Sequence, residues 1–428
     1  ALDLLKTLPD TPERAQQELT LQIALGTPLI ATKGQGSTEV ERTYSRALTL
    51  CRQIGETPEL FPVLFGLRAF YLVRGELQTA RELGERSLTL AQSMQDPALL
   101  VPAHLGLGVI LFFLGELALA QEHMDQAITL YDPQRHNPHV SRTPYDPGVV
   151  CFTYTARILW LIGYPDQALK QIQEALTLAR KLSHPFSLIF ALGGTVLIHQ
   201  DRRESWATQK QAEAVLTLSS EQEFAFWGPS ATLHRGWALV EQGQEEEGIV
   251  QIKKGLAAWQ DQGAGGEMER PSFYALLAEA YGQVGQIEEG LSVLAEALAA
   301  VEKTGACYYE AELYRLKGTL TLQQANQKSK GKSQKAKIET DPRPLNPDPH
   351  AEAEECFHQA IEIARRQQAK SLELRAVMSL ARLWQQQGKH HEAHQMLSEI
   401  YNWFIEGFDT KDLQDAKALL HELASNRE

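Results

Sequence analysis

His390-His391-Glu392-Ala393-His394 is the densest group of potential metal ligands in the 428-residue chain. On a helix, His390 and His394 lie one turn apart on the same face, a spacing that can share a zinc ion. The arrangement H-E-x-x-H adds a general base to two zinc-binding histidines, but counted from His391 its second histidine falls on Gln395. No third ligand lies nearby in sequence, so the segment reads as a solvent-facing helix without a metal. Gly331-Lys332-Ser333 ends like a phosphate-binding loop, which needs a glycine five residues before Gly-Lys so that backbone amides can wrap the phosphates; that position is Asn326, and no apolar strand precedes it. Leu105-Gly106-Leu107-Gly108 opens like a dinucleotide fingerprint whose third glycine falls on Leu111, and both glycines are better explained by close helix packing. Serines, cysteines and histidines are scattered without a local nucleophile signature, and Glu245-Glu246-Glu247 sits at an exposed turn. These residues predict no catalytic group, no metal and no other cofactor; the expected chemistry is binding.

The elements that carry them repeat. A turn glycine followed by small residues recurs as Gly75 with Ala80, Gly115 with Ala120 and Ala127, and Gly163 with Ala168 and Ala175, then as Gly243 with Gly248 and Gly255, Gly285 with Gly290 and Ala297, and Gly388 with Ala393. Seven residues before most of these glycines stands a small residue, Gly108, Ala156, Gly236, Ala278 or Ala381, where two helices can cross closely. A large apolar residue follows three later: Leu111, Leu159, Leu239, Tyr281 and Trp384. This pattern resembles the tetratricopeptide repeat, a helix-turn-helix unit. The spacing from Gly75 to Gly115 is 40 residues, from Gly115 to Gly163 48 and from Gly243 to Gly285 42, longer than the usual period of about 34. A degraded unit from Phe186 to Ser219 carries Gln200-Asp201-Arg202-Arg203 in place of the turn glycine. With a first unit in residues 11–55 and another from Tyr309 to Ala360, the expected fold is all-α: a right-handed tetratricopeptide-like superhelix of about nine hairpins with a roughly 40-residue period, one domain over residues 1–428. Prolines mark helix starts at Pro12, Pro58, Pro97 and Pro185.

Composition narrows the partners. A net charge of −13 argues against duplex DNA or an anionic membrane surface. Cys51, Cys151, Cys307 and Cys356 form no C-x-x-C pair, so buried reduced thiols and a cytoplasmic location are expected. No apolar run reaches membrane-spanning length. The chain starts at Ala1 inside a helical pattern, as an excised C-terminal part of a longer protein would.

A concave face should be lined by the first helix of each hairpin. Its exposed positions give Phe65, Phe112, Arg157, Trp160 and Trp237 up to the middle of the chain, and Arg315 and Arg382 towards the end. An aromatic groove holding one arginine suits a peptide, protein or small ligand bearing a carboxylate; tight winding that buries the same residues against each other is the other outcome. The proline-rich loop from Tyr131 to Gly148 offers Arg135 and Arg142, either to a ligand in that groove or to a plug of the superhelix. Residues 324–350, with five lysines between Lys328 and Lys337 and then Asp341-Pro342-Arg343-Pro344, have little apolar surface to bury and read as a flexible basic, proline-rich insertion.

The run Leu8-Pro9-Asp10-Thr11-Pro12-Glu13-Arg14 and the tail segments Tyr309 to Gly318, Ala351 to Arg366 and Trp403 to Thr410 resemble the C-terminal region of large bacterial signalling proteins. Those proteins join a class III nucleotide cyclase or another output domain to a STAND-type ATPase and then to tetratricopeptide repeats. The resemblance implies a sensor or regulatory arm without catalysis, with the ATPase and output domains as upstream partners. A constitutive protein-protein interaction scaffold without switching is the alternative.

Overall fold

The computed structural model describes residues 2–425 apart from 6, 8, 56, 57, 135–144, 225, 262–265 and 334–347. Among the described residues a short α1 (Leu2–Leu5) precedes nine antiparallel hairpins. They pair α2 (Pro12–Lys33) with α3 (Thr38–Ile54), α4 (Leu60–Val73) with α5 (Leu77–Met94), α6 (Pro97–Phe113) with α7 (Leu117–Leu130), and α8 (Pro147–Leu161) with α9 (Pro165–Leu182). The fifth and sixth are α10 (Pro185–Asp201) with α11 (Ser205–Glu221) and α12 (Trp227–Glu241) with α13 (Glu245–Asp261). A single 3-10 turn, Glu267–Glu269, leads into α14 (Arg270–Gln283) with α15 (Ile287–Thr304); α16 (Glu310–Ser333) with α17 (Pro349–Gln367) and α18 (Lys370–Gln386) with α19 (His390–Tyr401) follow. A lone helix, α20 (Lys411–Ser425), closes the stack. No strand occurs among the described residues, and none of their helices is long and apolar enough to cross a membrane.

The repeat signature has a direct physical basis. Gly75, Gly115, Gly163, Gly243, Gly285 and Gly388 all adopt positive φ at the hairpin turns, a conformation that costs residues with a Cβ. Between α12 and α13 a Cβ on Gly236 would lie 2.6 Å from the Gly248 carbonyl oxygen and 2.8 Å from the Ile252 amide nitrogen, so the backbones touch only because both crossing residues are glycine. Pro12, Pro97 and Pro185 start helices behind Thr11, Asp96 and His184, whose side chains accept from backbone amides of the first turn. Pro58 does not: it sits in a turn, and α4 starts two residues later at Leu60.

The first helices of hairpins five apart are bonded end to end. The last turn of a helix leaves carbonyls without intrahelical partners, and here donors from the next superhelical turn fill them. The Gly266 amide donates to the Val73 carbonyl (2.7 Å), Tyr308 to Phe113 (3.3 Å) and Ser371 Oγ to Trp160 (2.5 Å), while the Arg375 guanidinium reaches Asp201, four hairpins back (2.7 Å). The residues joined by Ser371 lie 211 apart in sequence. The winding therefore repeats every five hairpins, and its turns are in contact rather than separated by an open channel.

Part of the segment expected to be a flexible insertion is helical. α16 continues to Ser333 and α17 begins at Pro349, so residues 324–333 extend a helix and the basic stretch read as irregular is in part helical. The expectation for 334–347 lies outside the described residues.

Candidate functional site along the superhelix axis

Arg157 leaves α8 towards the axis and is 7% exposed. Its guanidinium donates to both carboxylate oxygens of Glu269 (2.8 and 3.2 Å) and to the Tyr308 hydroxyl (3.4 Å), while Tyr308 itself donates to Glu269 (2.7 Å). The rings of Phe112, Phe113, Tyr154 and Tyr308 surround it at 4.5 to 5.7 Å. A guanidinium stacks on aromatic faces and pairs in two-pronged fashion with a carboxylate, which a lysine cannot do. Burial pushes the Glu269 carboxyl up, but the Arg157 charge and the hydrogen bonds from Arg157 and Tyr308 hold it below the usual glutamate range. The carboxylate for which this arginine was expected to select is thus supplied by the chain itself.

A second cluster lies one hairpin further. Arg203 occupies the glycine position of the α10–α11 turn with φ of 60°, and its guanidinium reaches Glu279 (2.5 Å), Asp412 (3.6 Å) and Glu241 (3.8 Å). Trp237 Nε1 donates to the other oxygen of Glu279 (3.2 Å). Burial raises the Glu279 carboxyl, yet Arg203, Arg315 and Arg375 outweigh it and leave it at about 2. Arg375 lies over the Trp160 ring (4.9 Å) and donates to Asp412 (2.7 Å). Arg315 forks onto Glu312 (2.7 and 2.8 Å), which also faces Arg375 at 3.9 Å. Between the clusters, Arg157, Trp160, Asp201, His234 and Tyr308 border a cavity of about 20 Å³, room for a single water. Burial pushes the Asp201 carboxyl up to about 7, with Arg375 and Arg157 lowering it and Asp412 and Glu312 raising it.

Phe112, Arg157, Trp160, Trp237 and Arg315 are therefore gathered into one interior network. Phe112, Trp160 and Trp237 are 0, 3 and 1% exposed. Of the two outcomes left open by the sequence, an open groove or residues buried against each other, these residues take the second, because the later hairpins bring Glu269, Tyr308 and Arg375 among them. Phe65 is half-buried beside Phe61 and Arg68, away from this network, and Arg382 is exposed. Arg135 and Arg142 lie outside the described residues; the flanks of their loop are packed, with Tyr131 donating to Asp146 (2.9 Å) and Tyr145 against Phe190 (5.0 Å). Sequence reasoning missed Glu269, Glu279, Arg375 and Asp412. The one local signal was Arg203, a bulky cation where the repeat wants glycine.

Other candidate chemistry stays apart. His394 Nδ1 faces Ser398 Oγ (3.2 Å), and among the described residues no three histidines, cysteines or carboxylates converge as metal ligands do. Cys51, Cys151 and Cys356 are buried and Cys307 is half-buried, its thiol donating to the Leu114 carbonyl (3.0 Å). Outward-facing apolar side chains include Trp206 (72% exposed), Val250 (64%) and Ile405 (75%).

Residues 101–126 and 374–399 match the tetratricopeptide repeat family model. A curated relative, an uncharacterized protein of Rhizobium meliloti (strain 1021), is 23% identical over 334 residues, 77% of this chain and 32% of the relative. The chain thus spans about a third of the length of the curated relative it matches. Among solved structures, a Rap protein complexed with Competence and Sporulation Factor has a TM-score of 0.60 at 12% identity, covering 96% of this chain and 99% of that one. NprR in complex with its cognate peptide NprX has a TM-score of 0.50 at 12% identity, covering 84% and 98%. A STAND protein with a tetratricopeptide repeat sensor from Pyrococcus horikoshii has a TM-score of 0.42 at 13% identity, covering 91% and 55%. At such identities the likeness is one of fold, and the fold is typically a non-catalytic binding scaffold. The chain has the fold of a tetratricopeptide-like helical solenoid, and two of its segments match the tetratricopeptide repeat.

Proposed function

We propose that this chain is a protein- or peptide-binding arm of a larger signalling protein, without catalysis of its own, and that it engages partners from its outer surface. The observation that carries this reading is the Arg157–Glu269–Tyr308 cluster: the axis, where a ligand was expected, is occupied by the chain's own paired charges and rings. A buried ion pair that already has its partners offers nothing to a second carboxylate, and opening it would orphan both charges. That favours a scaffold over a sensor that takes a ligand into its groove. The solved complexes of Rap with Competence and Sporulation Factor and of NprR with a peptide support a binding role for the fold. The finer context, a cytoplasmic protein whose upstream part is a STAND-type ATPase with an output domain, rests on the sequence resemblance and fits the one-third coverage of the curated relative. Arg382, the exposed member of the sequence-predicted set among the described residues, is available to such a partner.

The test is to select displayed peptides on the purified chain and map the strongest binder by hydrogen–deuterium exchange. Protection on the exposed faces of the second helices is the expected outcome. Protection confined to the axis around Arg157 and Trp160 would overturn the reading in favour of a groove-binding sensor.

A further inference from the structure

On α15, Leu291, Ala295, Leu298 and Glu302 are spaced by four, three and four residues, so they form one stripe along the helix. The two leucines are half-buried, and Ala295, with Ala299 beside the stripe, is exposed. This stripe is one wall of a groove of about 780 Å³; α16 forms the floor with Tyr314 and Thr321, and α17 the far rim with Glu352. From Leu291 to Glu302 the groove runs roughly 16 Å, about three helical turns. Its charge is one-sided. Glu302, Glu310 and Glu352 border it, and none of them makes an ion pair with a described residue; among the described residues Lys317 is the single cation of the lining. Glu310 is half-buried there, and burial pushes its carboxyl up while the more distant Arg366 pulls it down.

Alanines rather than long side chains in the wall let another backbone approach closely, and the leucines give it apolar surface to cover. Unpaired acids on both rims select the flanks of whatever lies between them. We infer that the groove between α15, α16 and α17 receives an amphipathic helix of a partner protein, about three turns long, with an aliphatic stripe flanked by lysine or arginine. This rests on the outer-surface reading above and assigns it a place and a partner chemistry: helix-in-groove recognition with acidic specificity.

The probe is a fluorescein-labelled synthetic helix of leucine and lysine in 3.6-residue period, compared by anisotropy with a glutamate-for-lysine counterpart and a scrambled peptide of equal composition. Saturable binding of the lysine helix alone is expected, weakened by salt. Glu302→Gln and Glu352→Gln should each weaken it about two- to fivefold. Ala299→Trp, which fills the groove from an exposed position, should abolish binding with an unchanged circular dichroism spectrum. Glu246→Gln, an exposed acid on α13, should leave it unchanged. Equal loss with Glu246→Gln would show general charge attraction, and full binding by Ala299→Trp would place the peptide elsewhere; either overturns the inference. Exchange mapping keeps the two readings apart, because protection of another outer face sinks only the groove, whereas protection of the axis sinks the outer-surface reading as well.

Discussion

Arg203 and Glu279 are 2.5 Å apart, and the arginine making this pair stands in a left-handed backbone conformation at a turn where six other hairpins use glycine. That conformation costs a residue with a Cβ of the order of 1 kcal/mol, and the cost is borne because the side chain is needed inside. Arg203→Gly would relax the backbone and yet leave Glu279 buried without its main cation. The expected result is a net loss of about 3 kcal/mol or more. In Arg203→Gly/Glu279→Gln the second change should recover part of that loss, since the orphaned charge is gone. Chemical denaturation of the two single variants and the double variant measures this; additive losses would show that the pair is not coupled.

Trp160 and Arg157 give a second test. Trp160 is 3% exposed beneath the Arg375 guanidinium, so Trp160→Ala should leave a cavity and cost about 3–5 kcal/mol. Arg157→Ala removes the partner of buried Glu269 and should cost a similar amount. A thermal melt that barely moves for both would show that this part of the axis is open in solution and would restore the groove as the binding site.

The hairpins were legible because the demands that shape them are local: a left-handed turn wants glycine, and a close crossing wants a small side chain, as at Gly236 and Gly248. The inward direction of Arg157 and Trp160 was legible too, from helical periodicity. Whether inward meant open or filled was not, because it depends on how tightly the seventh hairpin onward winds back over the second and those after it. Glu269 lies 112 residues from Arg157, in a 3-10 turn with no motif of its own. The outer groove was equally hidden: Leu291 and Leu298 look like ordinary core positions until α17 is seen to leave them partly uncovered.

His104 and His123 face each other Nδ1 to Nδ1 at 2.9 Å between α6 and α7. Burial lowers the pKa of both, and for His104 the neighbouring His123 lowers it further, whereas Glu122 raises both. A histidine held neutral in the folded chain binds fewer protons than when unfolded. Its contribution is therefore present above the ordinary histidine pKa and lost as pH falls below it. Stability should drop between about pH 7 and 5, and His104→Gln should flatten that part of the profile. A profile unchanged by the substitution would exclude the pair as its cause.

Asp201 should act with the opposite sign. Its carboxyl is raised from 3.8 to about 7 in the folded chain, so between those values the folded state holds a proton that the unfolded state has released. The stabilisation is complete below the unfolded value and is lost as pH rises through about 7. Above that, an ionised carboxylate faces the small cavity with Asp412 and Glu312 among its neighbours, and only Arg375 and Arg157 offset them. Asp201→Asn keeps the shape and removes the titration. Its advantage over the unsubstituted chain should therefore be larger at pH 8 than at pH 5, by on the order of 2 kcal/mol. Urea denaturation at the two pH values reads the difference directly. A gain at pH 5 equal to that at pH 8 would mean that Asp201 does not titrate in this range, and a loss at pH 8 would mean that its negative charge is required by Arg375 and Arg157.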